Sequence, residues 1–192
     1  MTDIVKKPII YIYPIEKMDV EVKLGNPQYL SCTYPKYKNG WSVTADVDGT
    51  LVDKNTEKNL YALYWEGKEV PKNINLKEGF CVKGKDTATF LEEKLSLLGL
   101  SDKEAEEFII YWLPKMEENN YNYIRFETKE EQDKSMPLEI TPKPDNLIRV
   151  MMDWKGLDEK IEVQEQNLET PIREGYTVAV SYTHLRAHET CA

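Results

Sequence analysis

Between residues 18 and 24 the chain reads Met-Asp-Val-Glu-Val-Lys-Leu: Met18, Val20, Val22 and Leu24 are apolar and Asp19, Glu21 and Lys23 are charged. Successive side chains of a strand point to opposite faces, so this alternation demands a sheet with one dry face and one wet face. Neighbouring segments extend the requirement. Pro8 and Pro14 bracket "IIYIY", whose near-continuous apolar character predicts a strand covered on both sides. "YLSCTYPKY" and "WSVTADV" flank Lys38-Asn39-Gly40, and Asn-Gly accepts the positive φ of a tight turn, which predicts a hairpin. After a polar turn over residues 53–59, "LYALYWEG" reads as a further strand.

The period then changes. Asp86 or Thr87 caps a helix carrying Phe90, Leu91, Leu95 and Leu98, with Gly99 as its stop. Ser101 and Glu104 form a capping-box pattern for a second helix, in which Ala105, Phe108, Ile109, Trp112, Leu113 and Met116 recur at three and four, and Pro114 tightens or kinks its end. Residues 128–136 read as a charged loop or frayed segment. "YNYIRFE", "LEITP", "LIRVMMDW" and "GYTVAV" are strands, the second and third joined by the turn Lys143-Pro144-Asp145-Asn146. The expected class is α+β. Its N-terminal half is a mostly antiparallel or sandwich-like sheet, with a helical hairpin packed on it and further strands at the C-terminal end.

With 192 residues and 41% hydrophobic content, one core and one domain over residues 1–180 are expected. The last dozen residues, "SYTHLRAHETCA", read like a translated sequencing adapter and are expected to be a non-native, disordered tail over 181–192. That segment holds His184, His188 and Cys191, so the remainder has no histidine, which disfavours Ser or Cys triads and histidine-based zinc sites. Cys32 and Cys81 are expected as buried thiols, or as one disulfide in an oxidising compartment. A net charge of -9 without a basic cluster argues against a nucleic-acid partner. No apolar run approaches the roughly 18 residues of a transmembrane helix, and the chain as written reads as cytoplasmic. A leader upstream of Met1 would instead make it secreted or cell-envelope associated.

"ADVDGTLVD", residues 45–53, has the spacing of a haloacid-dehalogenase-like phosphatase, with Asp46 as nucleophile and Asp48 as general acid and base. That motif ends a buried parallel strand, whereas Trp41, Val43, Ala45 and Val47 alternate here with Ser42, Thr44, Asp46 and Asp48, so the acids continue a wet face. Asp48-Gly49 reads as a two-residue turn. Asp46, Asp48 and Asp53 are the candidate metal ligands of a calcium loop around Gly49, with Thr44 and Asn55 falling where better ligands belong. Cys81, just ahead of a helix start, is a candidate nucleophile that lacks a nearby base. Seven of the twelve tyrosines lie within the first 65 residues. Aromatic faces serve modules that bind sugars or peptides, but the same residues fill strand cores.

"KPIIYIYP", "YPKYKNGW", "YWEG", "FCVKGKDTATFLEEKL" and "EFIIYWLPKMEENNYNYI" resemble segments of an uncharacterised, mainly bacterial protein family opening with a Lys-Pro-Val-Ile-Tyr-Leu-Tyr-Pro-like run. The resemblance covers nearly residues 7–178 and implies a self-contained domain, with a leader in some similar proteins and no activity to transfer. The expected function is a non-catalytic binding or structural module for a protein, peptide or glycan, without a cofactor. The alternatives are an enzyme using acidic residues or Cys81, and a calcium-stabilised module.

Overall fold

The computed structural model describes residues 4–68 and 76–185. In chain order the strands of the first half are β1 (Ile4–Tyr13), β2 (Met18–Leu24), β3 (Leu30–Tyr34), β4 (Trp41–Ala45), β5 (Leu51–Asp53), β6 (Asn59–Leu60), β7 (Leu63–Lys68) and β8 (Glu78–Lys83). Helices α1 (Thr87–Leu97) and α2 (Asp102–Met116) follow, then β9 (Tyr121–Phe126), α3 (Lys129–Ser135), β10 (Leu138–Thr141), β11 (Asn146–Leu157), β12 (Gln164–Glu165) and β13 (Thr177–Leu185). A large sheet has the order β12-β8-β9-β11-β13-β1-β7-β3, and a smaller one the order β10-β2-β4-β5-β6. Among the described residues only β11–β13 and β12–β8 are parallel pairs. The class is α+β, as the periodicities predict.

Three layers result, because two apolar clusters lie on opposite faces of the large sheet. Ile10, Ile12, Val178 and Val180 meet Val20, Val22, Trp41 and Val43 of the small sheet. Ile9, Tyr11, Val150 and Met152 meet Leu91, Leu95, Phe108 and Trp112 of the helices. The central strands are therefore apolar at consecutive positions, and the small sheet, wet outside, alternates. The helical hairpin follows its sequence signals. Leu100 N donates to Leu95 O at 3.1 Å and Gly99 N to Ser96 O at 3.0 Å, a closure that needs the left-handed Gly99 (φ +95°). Both arms of the Ser101–Glu104 capping box form. Among the described residues no helix is long and apolar enough to cross a membrane.

Several expectations are corrected. Asn39 and Gly40 do take positive φ, but β3 pairs with β7 in the large sheet whereas β4 pairs with β2 and β5 in the small one. The turn is thus a sandwich corner, since turn residues encode the chain reversal and not the partner. "LYALYWEG" is likewise split, with β6 in the small sheet and β7 in the large, and the 143–146 turn also crosses between sheets. Residues 128–136 contain α3, closed by a Thr128–Glu131 capping box. Arg125 grips Glu131 at 2.6 Å, and Arg149 donates to the carbonyls of Gln132 and Met136 at the helix end.

The expected tail boundary at 181 is also corrected, because β13 runs to Leu185 between β1 and β11, and Ser181, Tyr182 and Thr183 are buried. This stretch lacks a two-residue contrast because the strand is covered on both faces. Residues 186–192, including His188 and Cys191, lie outside the described residues.

Candidate functional site

A polar network sits where the end of β1 meets the start of α2. Glu104, spaced for the capping box, has no exposed surface. Its Oε1 and Oε2 accept from the two terminal nitrogens of Arg173 at 2.7 and 2.8 Å, while Tyr13 donates to Oε2 at 3.0 Å and the Ser101 amide to Oε1 at 3.0 Å. Arg173 also donates to Gly99 O at 2.8 Å and lies 5.2 Å from the centre of the Tyr13 ring. One turn further along α2, Glu107 accepts from Tyr11, and from Tyr61 at 2.7 Å. Glu104 is thereby fixed by donors from three separate parts of the chain and Glu107 by donors from two.

Burial opposes the ionisation of Glu104, but Arg173 and the Ser101 amide outweigh it and hold the carboxyl below its ordinary 4.5. Because the folded value lies below the unfolded one, the stabilisation is complete above pH 4.5 and is lost as pH falls through the depressed folded value. Urea midpoints measured from pH 7 to 3 should fall more steeply for the natural chain than for Glu104→Gln, which has no charge to lose. Burial, then the α2 carboxylates, push the Tyr11 and Tyr13 phenols well above their ordinary range. These phenols act as hydrogen-bond donors at neutral pH.

A tyrosine strip continues from this network along the outer flank of α2. Tyr61 is 52% and Tyr34 55% exposed. Tyr34 stands opposite Tyr64 across the β3–β7 pair, on the face that looks toward the helices. Burial, then a hydrogen bond to Glu66, raises the Tyr64 phenol, and Tyr111 of α2 is near enough to add to the shift. Ile110 beside it is 66% exposed. Lys103 lies 4.6 Å from the centre of the Tyr61 ring, and Lys115 4.1 Å from that of Tyr111. The two helices stop short of the outermost strands, which leaves aromatic rings in water.

The residues singled out in the sequence lie elsewhere. Asp46 and Asp48 occupy the loop between β4 and β5, where Gly49 N donates to Asp46 O at 3.0 Å and Gly49 takes φ +90°. The expected two-residue turn is therefore longer by one residue and centred on Val47 and Asp48, with the glycine in the left-handed position after them. A Cβ on Gly49 would meet Tyr13 Cε1 at 2.7 Å. Since β4 has antiparallel neighbours on both sides, Asp46 does not end a parallel strand as the phosphatase motif requires. Asp46 accepts from the Val47 amide and Asp48 from the Thr50 amide, both at 2.8 Å. Asp53, at the end of β5, accepts from Thr56 at 2.6 Å and from the Asn55 amide at 3.3 Å.

Among the described residues no group of three or more His, Cys, Asp or Glu side chains is arranged to hold a metal ion. Melting the full chain in millimolar calcium and again in a chelator should give the same midpoint, because a ligand raises it only by binding the folded state. A rise of several degrees in calcium would mean that these acids coordinate it.

Cys32 and Cys81 are free, the first exposed and the second half-buried, which corrects the expectation of buried thiols. Cys32 is on β3 and Cys81 on β8, near opposite edges of the large sheet with β9, β11, β13, β1 and β7 between them. Six strand spacings amount to roughly 29 Å, so a disulfide between them is excluded.

Protein-family models, curated proteins and solved structures give no match to this chain. The site therefore rests on its geometry. Glu104 was legible in the sequence only as a cap, and Arg173, 69 residues away, carried no local signal.

Proposed function

We propose that the chain is a non-catalytic binding module whose ligand surface is the outer flank of α2 and strands β7 and β3, centred on Tyr34, Tyr61, Tyr64 and Tyr111. The observation that carries this reading is the exposure of Tyr61, whose hydroxyl Glu107 holds together with that of Tyr11, and of Tyr34 opposite Tyr64 on the same helix-side face. A tyrosine with its hydroxyl anchored presents a large, rigid face at little cost in side-chain entropy, the property that enriches this residue at recognition surfaces. Glu104 supports the same reading, because a buried carboxylate clamped by a bidentate arginine fixes the loops around it and is shielded from substrate.

The test is an array of peptides and neutral oligosaccharides probed with the natural chain and with a Tyr34→Ser, Tyr61→Ser, Tyr111→Ser variant. Ligands captured by the natural chain should bind the variant at least about tenfold more weakly, since hot-spot aromatics cost about 2 kcal/mol or more each when truncated. Equal binding by a variant with unchanged melting temperature would refute the assignment of this surface.

A further inference from the structure

The two sheets have four outer strands, and they differ in how they end. β12 and β6 contain two residues each. β10 has four, enclosed between Pro137 and Pro142. β3 has five, Leu-Ser-Cys-Thr-Tyr, none of them charged, and among the described residues it pairs only with β7. Proteins protect an outer strand by shortening it, or by placing lysine, proline or a charge on it. A bulge can also protect an edge, and β3 has a register irregularity between Leu30 and Cys32, but it has no charge or proline within its length and runs regularly from Cys32 to Tyr34. Ser31, Cys32 and Tyr34 are exposed along it.

The stretch of chain that carries this edge differs in charge from the rest. The molecule has a net charge of -9, yet no Asp or Glu occurs from Val22 to Ala45, and Lys36 and Lys38, beyond Pro35 at the end of β3, are exposed. We propose that the free edge of β3 takes an extended acidic peptide as a ninth strand of the large sheet. The added chain would bond through its backbone to the outward amides and carbonyls of β3. Its alternate side chains would fall on the helix-side face, where Cys32 and Tyr34 stand next to Glu66 and Tyr64. An apolar residue fits against the Tyr34 ring, and a carboxylate fits beside Lys36 beyond the end of the strand. A second copy pairing through the same edge would bring its own Lys36 and Lys38 and no carboxylate from this stretch, which favours a separate acidic segment over a second copy of this chain. The inference rests on reading this flank as the ligand surface, and it names the partner.

Amide hydrogen exchange of the full chain tests it, with millimolar acetyl-(Glu-Val)3-amide as the probe. The exchange of β3 amides is expected to slow at least tenfold with this peptide. It should stay unchanged with the Lys-Val counterpart, and with a Glu-Val peptide methylated on alternate backbone nitrogens. No slowing at β3, or equal slowing by the lysine peptide, overturns the proposal. Slowing without peptide that grows with protein concentration also overturns it, because a second copy then occupies the edge. Resonance shifts at Tyr61 and Tyr111 without β3 protection would sink the ninth strand and leave the flank as a ligand surface. Protection of β3 that persists undiminished in the triple tyrosine variant would sink the flank reading and leave the edge.

Discussion

Replacing Arg173 by methionine is expected to lower the stability of the fold by about 3–5 kcal/mol, the usual cost of leaving a buried charge without its partner. Glu104 has no exposed surface, and in this variant only Tyr13 and the Ser101 amide would remain to hold its charge. For a chain of this size such a loss lowers the melting temperature by about 6–20 °C. Glu104→Gln in the same background should restore much of the loss, because glutamine keeps the capping box and has no charge to bury. Equal melting of the Arg173→Met chain and the natural one would mean that the pair contributes nothing to the fold.

Trp65→Ala is expected to cost about 3–5 kcal/mol as well, through a different mechanism. Trp65 lies between the two sheets, 6.4 Å from the Trp41 ring and 6.3 Å from the Tyr182 ring by centroids. Tyr37 stands edge-on to Trp41 at 5.0 Å, so the alanine would open a void in the middle of a chain of four aromatic side chains. Strands on both sides hold those neighbours in place, and incomplete collapse adds to the lost transfer energy. Urea denaturation should show a lower midpoint with an unchanged slope. Trp65→Phe, which keeps a ring in the gap, should cost less than half as much.

These two sites mark how far the sequence could be read. Alternation in β2 and β4, the two-sided burial of β1 and the capped hairpin were all legible, because periodicity reports which faces are dry. It does not report the partner. β3 and β4 therefore read as a hairpin although a sheet boundary runs between them. α3 had a visible signal in Thr128 and Glu131, but only Gln132 is buried along it, so no apolar stripe supported a helix. Arg125 of the preceding strand β9 and Arg149 of β11 hold it instead. The site was hidden for a related reason. Tyr34, Tyr61 and Tyr64 are ordinary strand formers in one dimension, and no local signal marks that Tyr34 and Tyr61 are left half exposed.

The most direct test of the binding reading is fluorine resonance spectroscopy of the chain labelled with 3-fluorotyrosine, titrated with the first peptide or oligosaccharide captured on the array. Shifts are expected to concentrate at Tyr34, Tyr61, Tyr64 and Tyr111, with Tyr37, Tyr176 and Tyr182 of the inter-sheet core unmoved. Shifts confined to other tyrosines, with these four unchanged at saturation, would contradict it.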